Sequence, residues 1–249
     1  MEPVRTHRAK SVVEAARLNR ARDRKVRGLT LVEGPDLLHD VIAAGARVVE
    51  VFSTQDADGD PAPGAALPTI VDHRALSRLA GTKSPRGPVA VVTIPTEWLD
   101  RSQNLLVSVG VSDPGNVGTM VRTAASFGWG FAYTEGSADP WSPKTIRAGA
   151  GGQFQTAVSR IGSMSELGDW ETVAMVARDG RPPESMPEGM LAVLIGEEAH
   201  GLPEQVVRAA GQRMTIPTPG RTESLNAAVA AGIAVYALSR GSEDSPGAV

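Results

Sequence analysis

The chain has 249 residues, of which 28 are acidic and 25 are basic, and its formal net charge is −3. It contains no cysteine, which excludes a disulfide scaffold, a thiolate zinc site and a cysteine nucleophile. No stretch reaches the roughly 18 apolar residues of a membrane span, and the first ten residues lack the apolar region of a secretion signal. We therefore expect a soluble, cytoplasmic protein of one large domain or two modest ones.

Basic side chains are concentrated at the start of the chain. Residues 1–30, called the basic arm below, carry nine basic and three acidic side chains, a net charge of +6 that leaves −9 for the remainder. Clustered cations near phosphates release condensed counterions, so the arm indicates contact with a polyanion such as RNA, the alternative being a solvated helix face. The candidate RNA contacts are Arg17, Arg20, Arg22, Arg24 and Lys25.

Residues 1–95 predict a small α/β domain, in which an arginine-rich helix over 12–28 precedes alternating strands and helices. The expected strands lie at 29–34, 48–54, 69–72 and 88–94, and the expected helices at 35–46 and 72–81. We expect residues 96–103 to form a linker and residues 241–249 to be a disordered tail.

Residues 104–240 also alternate strands with helices, which favours a parallel sheet with ligands at the carboxyl ends of its strands. The segment 190–196 is a fully apolar strand of the kind buried on both faces of such a sheet. The other expected strands lie at 104–111, 129–134, 171–177 and 213–217, and the helices at 116–128, 142–151, 202–211 and 224–240.

The first chemistry-bearing loop spans residues 113–128. Its Asp-Pro-Gly start predicts a turn, after which Asn116 is a natural helix N-cap. Arg122 follows in the second turn of that helix and is the only cation in this segment. It could face solvent, or it could be held beside a phosphate.

The second loop spans residues 194–203 and directly follows the apolar strand. Gly196 allows a ligand to approach the backbone closely, and Glu198 places a carboxylate at the strand end, where it could bind a ligand or orient an arginine. His200 fits a loop histidine better than a metal ligand, because no second histidine lies at ligand spacing.

The third loop and its helix span residues 216–238. Two prolines stiffen the loop, Ser224 is the expected helix cap, and Asn226 lies just inside an alanine-rich helix whose small side chains permit close packing. A well-capped helix at a tight interface explains this pattern equally well without a ligand.

The three loops together resemble the SpoU (TrmH) family of the SPOUT superfamily, the trefoil-knotted RNA methyltransferases. The resemblance rests on N-x-G-x-x-x-R-x-A at 116–124, G-x-E-x-x-G-L at 196–202 and I-P…S-L-N at 216–226, in this order. It implies a parallel α/β domain with a trefoil knot. More loosely, the first domain resembles the ribosomal-protein-like substrate-binding domain of several relatives, through LVEG at 31–34 and SPRGPVAVV at 84–92.

The resemblance implies an RNA 2′-O-ribose methyltransferase that uses S-adenosylmethionine and needs no metal. The family's catalytic positions correspond here to Arg122, Asn116, Glu198, Ser224 and Asn226, and its methyl-donor contacts to Gly196, Ile216 and Leu225. In the family the arginine activates or positions the ribose hydroxyl. Glu198, Ser224 and Asn226 would orient the arginine and the ribose. Family members dimerise through this domain, so a homodimer is expected.

The appended first domain favours 23S ribosomal RNA as substrate, whether for a housekeeping or an antibiotic-resistance modification. Two alternatives stay open from the sequence: a transfer RNA 2′-O-methyltransferase, and a catalytically inactive RNA-binding protein on the same fold. A small-molecule α/β enzyme is disfavoured by the basic arm, and a nicotinamide enzyme by the lack of G-x-G-x-x-G after the first strand.

Overall fold

A computed structural model describes residues 4–55, 67–82, 84–96, 98–220 and 224–241. The chain forms two compact units, residues 1–96 with 139–155 and residues 97–138 with 156–249. The segment 139–155, which the sequence placed inside the second domain, therefore packs with the first unit. The predicted tail, 241–249, lies outside the described residues except for Gly241, which is helical. Among the described residues, no helix is long and apolar enough to cross a membrane.

Within the described residues, helices and strands follow one another much as the sequence predicts. The strands are β1 (Leu29–Glu33), β2 (Val48–Ser53), β3 (Thr69–Ile70), β4 (Val89–Thr93), β5 (Leu105–Ser108), β6 (Gly130–Tyr133), β7 (Val158–Arg160), β8 (Glu171–Met175), β9 (Leu191–Ile195) and β10 (Gln212–Met214). The α-helices are α1 (Lys10–Ala16), α2 (Ala21–Arg27), α3 (Pro35–Ala43), α4 (His73–Ala80), α5 (Pro114–Ser126), α6 (Pro143–Ala148), α7 (Glu204–Ala209) and α8 (Ala227–Gly241).

The first unit contains a four-stranded sheet in the order β1-β4-β2-β3, antiparallel except between β2 and β3. Its core combines apolar residues of this sheet, such as Phe52, with the inner faces of α1 and α4, such as Leu79. Leu18, from the turn that follows α1, belongs to the same core. Asp72 caps α4 by accepting a hydrogen bond from the amide of Ala75 at 2.7 Å. The expected strands and helices of residues 29–94 are thus present in this unit.

The predicted helix over 12–28 is not continuous. A 3₁₀ turn at Arg17–Asn19 and an extended residue, Arg20 (φ −98°, ψ 132°), separate α1 from α2. The Asn19 side-chain amide donates to the carbonyl of Leu79 at 3.0 Å, at the end of α4. The same amide also donates to the carbonyl of Ala16 at 3.3 Å, and an asparagine side chain that bonds to the nearby backbone favours a helix end over helix continuation.

Segment 139–155 is anchored to β1 and to the helices of the first unit. The hydroxyl of Thr30 donates to the carbonyl of Trp141 at 2.7 Å, and Arg147 pairs with Glu33. Trp141 and Phe154 are both buried and meet edge to face with ring centroids 5.4 Å apart. These contacts bury the aromatic residues of the segment in the core of the first unit.

The second unit contains a six-stranded sheet in the order β10-β8-β9-β5-β6-β7, parallel at every pairing. This confirms the predicted parallel α/β domain. All residues of β5 and β9 are buried, as the apolar runs predict for central strands covered on both faces. The short β7 was not predicted, and the trefoil knot stays a prediction.

Candidate functional site

Two of the three predicted loops leave the sheet side by side. Strands β5 and β9 are parallel neighbours, and their last residues, Ser108 and Ile195, are paired in register. The pairing continues one step further, because the amide of Val109 donates to the carbonyl of Ile195 at 2.8 Å. The loops at 109–113 and 196–203 therefore begin together at the carboxyl edge of the sheet, where parallel α/β proteins bind ligands.

Helix α5 begins earlier than predicted, and Asn116 is not its cap. Asp113 is the N-cap: its carboxylate accepts a hydrogen bond from the amide of Asn116 at 2.9 Å, and Pro114 occupies the first helical position. Asn116 thus lies in the first turn, and its side chain is released from capping. It is available for contacts with the other loops.

The side chains of Asn116, Glu198 and Asn226, one from each predicted loop, form a connected set that we call the three-loop cluster. The Asn116 amide donates to the Glu198 carboxylate, and its oxygen accepts from the Asn226 amide at 3.1 Å. Three segments that are far apart in sequence are therefore tied together at one point. The cluster brings three of the five predicted catalytic residues into contact.

Helix α8 begins at Ala227, so the expected cap at Ser224 is wrong. Asn226 is the cap: its side-chain oxygen accepts hydrogen bonds from the amides of Ala228 at 3.0 Å and Val229 at 3.2 Å. One amide side chain thus stabilises the start of α8 through its oxygen and joins the three-loop cluster through its nitrogen. Ser224 instead lines a neighbouring cavity.

Arg122 lies in the third turn of α5, not the second, and is exposed. Six residues separate it from Asn116, which corresponds to about 9 Å along the helix axis. Within the part of the chain that the structure describes, its guanidinium has no hydrogen bond or ion pair, and Glu198 pairs with Asn116 rather than with Arg122. The arginine is consequently free to bind an external anion or hydroxyl.

A cavity of about 440 Å³, called the first cavity, adjoins the cluster. All three predicted methyl-donor contacts, Gly196, Ile216 and Leu225, line it, as do Glu198 and Ser224. Sequence analysis did not predict its third side, the segment 175–177 at the carboxyl end of β8. That side could have been inferred only by knowing that β8 is the neighbour of β9 in the sheet.

Gly196 is required by the chain's own packing, in addition to any ligand. A Cβ at this position would lie 2.2 Å from the carbonyl carbon of Gly201 and 2.3 Å from the amide nitrogen of Leu202. Gly201 itself has φ of +66°, and its amide donates to the carbonyl of Glu197 at 2.7 Å. The result is a tight turn at 197–201 that presents Glu198 and His200 outward.

The basic arm keeps four of its five predicted RNA contacts exposed: Arg17, Arg20, Arg22 and Lys25. Arg24 is different. It is 3% exposed, its Nε donates to Asp139 at 3.1 Å, and its Nη1 donates to the carbonyl of Leu18 at 2.8 Å. Arg24 therefore holds the first unit together, and the prediction that it contacts RNA is wrong.

Potential metal ligands are dispersed over the described residues, which contain no group of three or more His, Asp or Glu side chains placed to hold a metal ion. His200 lies 3.2 Å from the Glu197 carboxylate through its Nδ1. It lies in a loop, as predicted, and its contact with a carboxylate was not predicted.

The six-stranded parallel sheet has a cavity and the three-loop cluster at its carboxyl edge, which is where parallel α/β domains bind ligands. The family model described as SpoU rRNA Methylase family matches residues 103–236, more than half of the chain. The chain belongs to this family, which confirms the predicted membership.

Similar proteins agree with this assignment. The 23S rRNA (guanosine(2553)-2′-O)-methyltransferase RlmP of Bacillus subtilis is 27% identical over 247 residues, covering 96% of this chain and 99% of the relative. The 23S rRNA (uridine(2479)-2′-O)-methyltransferase of Streptomyces viridochromogenes is 29% identical over 172 residues, covering 62% and 60%. The SpoU methyltransferase AviRb of that organism, solved with the cofactor AdoMet, has the same fold, with a TM-score of 0.84 at 23% identity and coverage of 95% and 99%.

Proposed function

We propose that this protein transfers a methyl group from S-adenosylmethionine to the 2′-hydroxyl of one ribose in 23S ribosomal RNA. The observation that carries the proposal is the three-loop cluster. Glu198 both lines the first cavity and accepts the hydrogen bond of Asn116, at the start of the helix that carries Arg122. A donor in the cavity and a hydroxyl near α5 would then meet at this junction.

The first cavity suits the methyl donor in size and chemistry. Its apolar wall, which includes Ile195, Ile216 and Leu225, matches an adenosine ring, and the carboxylates of Glu197 and Glu198 complement a cation. The donor, when bound, supplies a methyl carbon activated by a positively charged sulfur. The role of this chain is to hold that carbon in line with the attacking oxygen.

Arg122 is the group proposed to act on the ribose. A ribose hydroxyl is a poor nucleophile at neutral pH, and negative charge develops on its oxygen as its proton leaves. A guanidinium remains protonated, so its planar fork can stabilise that charge while also binding an adjacent phosphate. In the proposed step the proton would pass to the adjacent substrate phosphate or to water, and the donor would depart as S-adenosylhomocysteine. The three-loop cluster fixes the first turn of α5 and thereby the direction from which Arg122 reaches the substrate.

The proposed homodimer would use an exposed apolar stripe on α8. Val229, Ile233 and Tyr236 recur at helical spacing and are 51%, 38% and 51% exposed. Phe127, which is 41% exposed, extends the stripe by meeting Tyr236 edge to face at 6.2 Å. Burial of these four side chains against a second copy would remove a large apolar surface from water.

The exposed cations of the basic arm are proposed to bind RNA phosphates, in keeping with a cytoplasmic enzyme that acts on ribosomal RNA.

The test of the proposed methyltransferase function is a map of 2′-O-methylation across cellular RNA with and without the gene. We expect one 23S position to lose its methyl group in the deletion. Loss of a methyl group at a transfer RNA position instead would contradict the proposed substrate. No loss at any position would contradict the proposed activity.

A further inference from the structure

A second cavity, of about 630 Å³, lies at the carboxyl ends of β5, β6 and β7. The residues that follow these strands line it, among them Val109, Thr134 and Ser163. Glu197 and His200 line both this cavity and the first one, so the turn at 197–201 forms a wall common to the two. The methyl donor site does not account for this second space.

The chemistry of the second cavity favours a flat, uncharged ligand. Val109, Met164 and Val206 provide apolar surface, whereas the charged side chains lining it within the described residues are carboxylates and a histidine, with no lysine or arginine. Arg160, which is not in the lining, is paired with the lining residue Glu135 at 3.4 Å, so a phosphate would meet mainly carboxylates there. A nucleobase turned out of its stack, by contrast, needs apolar surface for its faces and polar groups for its edge.

Glu197 is the group in this cavity best suited to read a base edge. Its Oε2 lies 3.2 Å from His200 Nδ1, and its Oε1 makes no hydrogen bond within the described part of the chain. An ionised carboxylate only accepts hydrogen bonds, and its two oxygens match two adjacent donors. Among the four neutral RNA bases, guanine alone presents two adjacent donors on its Watson–Crick edge, at N1 and N2.

We propose that the second cavity receives the base of the target nucleotide and that Glu197 selects guanine. This inference rests on the proposed methyltransferase function and names the base of its substrate. The same turn carries Glu198, which belongs to the three-loop cluster. A single five-residue turn thus connects base recognition on one side with the donor cavity and the helix of Arg122 on the other.

The test measures binding of the four nucleoside 5′-monophosphates to the full-length protein by NMR titration. S-adenosylhomocysteine is kept at saturation so that the first cavity is filled. We expect GMP to bind at least tenfold more tightly than AMP, CMP or UMP. Equal affinities for the four nucleotides, or displacement of GMP by S-adenosylhomocysteine, would overturn the proposal.

Two variants locate the binding. Glu197→Gln replaces one acceptor by a donor and should weaken GMP binding at least tenfold. Because Glu197 also lines the first cavity, GMP binding to this variant is measured with S-adenosylhomocysteine at a concentration shown to saturate the variant. Glu204→Gln, a matched change at an exposed carboxylate that lines neither cavity, should leave GMP affinity unchanged. Gln205→Trp places a bulky side chain in the second cavity alone and should also weaken GMP binding. Unchanged GMP affinity in both Glu197→Gln and Gln205→Trp would refute the site.

A second readout separates this inference from the proposed function. Ribosomal RNA from a strain lacking the gene is methylated with labelled donor and digested to nucleosides, and the labelled product should be 2′-O-methylguanosine. Label on another nucleoside would overturn guanine selection and leave the methyltransferase function intact. Selective GMP binding without any methyl transfer would refute the proposed function, and with it the role of the cavity as the target-base site.

Discussion

Glu198 accepts a hydrogen bond from Asn116 and thereby ties the loop after β9 to the first turn of α5. The bond lies at an exposed position, so its contribution to the free energy of unfolding is small, within about 0.5 kcal/mol. We propose that its importance is geometric, because it connects the loop after β9 to the helix on which Arg122 is placed. Small displacements of a catalytic group reduce rate far more than stability.

We therefore expect Glu198→Ala to lower single-turnover methyl transfer at least tenfold while the melting temperature hardly changes. Glu198→Gln retains an oxygen acceptor of the same length and should keep most of the rate. Rates are compared at saturating donor, with donor affinity measured separately because Glu198 also lines the first cavity. Equal, wild-type rates in the two variants would show that the cluster has no positioning role.

Arg24 shows how burial changes the role of a residue that sequence analysis assigns to binding. Its guanidinium is paired with Asp139 and with the carbonyl of Leu18 inside the first unit. Removal of one partner from such a pair leaves the other without compensation.

Arg24→Ala should destabilise the first unit by about 2 kcal/mol, measured by denaturant unfolding. Arg22→Ala, at an exposed position of the same helix, is the matched control and should stay within about 0.5 kcal/mol of wild type. Equal stabilities of the two variants would argue that the buried pair contributes nothing.

At the scale of elements, the basic arm contains α1 and α2. Of its exposed cations, Arg17 and Arg20 lie in the connection between the two helices, and Arg22 and Lys25 lie in α2. If these side chains contact phosphates, RNA affinity falls steeply with salt concentration. Each contact contributes about 0.7–0.9 to the slope of log K against log salt concentration.

The quadruple alanine variant should flatten that slope by about three units, whereas S-adenosylmethionine affinity should not change. Filter binding of 23S ribosomal RNA at several salt concentrations measures the slope. An unchanged slope would assign the arm to solubility.

The strands of the second unit could be predicted from the sequence because they are buried and their residues are mostly apolar. The run at 191–195 is apolar throughout and the run at 105–108 is apolar up to its last residue, Ser108, as expected of central parallel strands. The three-residue β7 leaves too short a pattern to detect. The break between α1 and α2 was not predictable from local sequence, because the shorter hydrogen bond of the Asn19 amide is made to a residue 60 positions away, in α4.

The candidate site was predictable as a set of residues but not as a set of contacts. Pro114 at the first helical position points to Asp113 as the cap, a signal that the stronger expectation for Asn116 obscured. The bond between Asn116 and Glu198 depends on β5 and β9 being neighbours. That order of strands is a property of the whole sheet and cannot be read from either loop.

At the scale of the whole molecule, each compact unit has its own sheet, and the chain passes from one unit to the other at residues 96–97, 138–139 and 155–156. Sequence continuity suggested a single boundary near residue 95. The additional crossings arise because Trp141 and Phe154 are buried in the first unit. Burial of a segment against residues far away in the sequence does not change the local amino-acid composition, so these additional crossings could not be predicted from it.

Assembly is a second property of the whole molecule. Ile233→Glu would place a charge in the centre of the apolar stripe of α8, and burying that charge without a partner is costly. We expect wild type to have the mass of a dimer by light scattering at micromolar concentration, and Ile233→Glu that of a monomer. Leu67→Glu, at a position 90% exposed outside the helices, should remain dimeric. A wild-type monomer would refute the dimer directly.

The central claim is that Arg122 acts on a ribose hydroxyl beside a methyl donor held in the first cavity. The most direct measurement is single-turnover methyl transfer to 23S ribosomal RNA from a strain lacking the gene, at saturating donor and RNA. Arg122→Ala should lower the rate by about 10²–10³ with donor affinity unchanged, because the arginine acts mainly in the transition state. Arg122→Lys should be nearly as slow, since it keeps the charge but loses the planar fork. Near-normal rates in both variants would contradict the account.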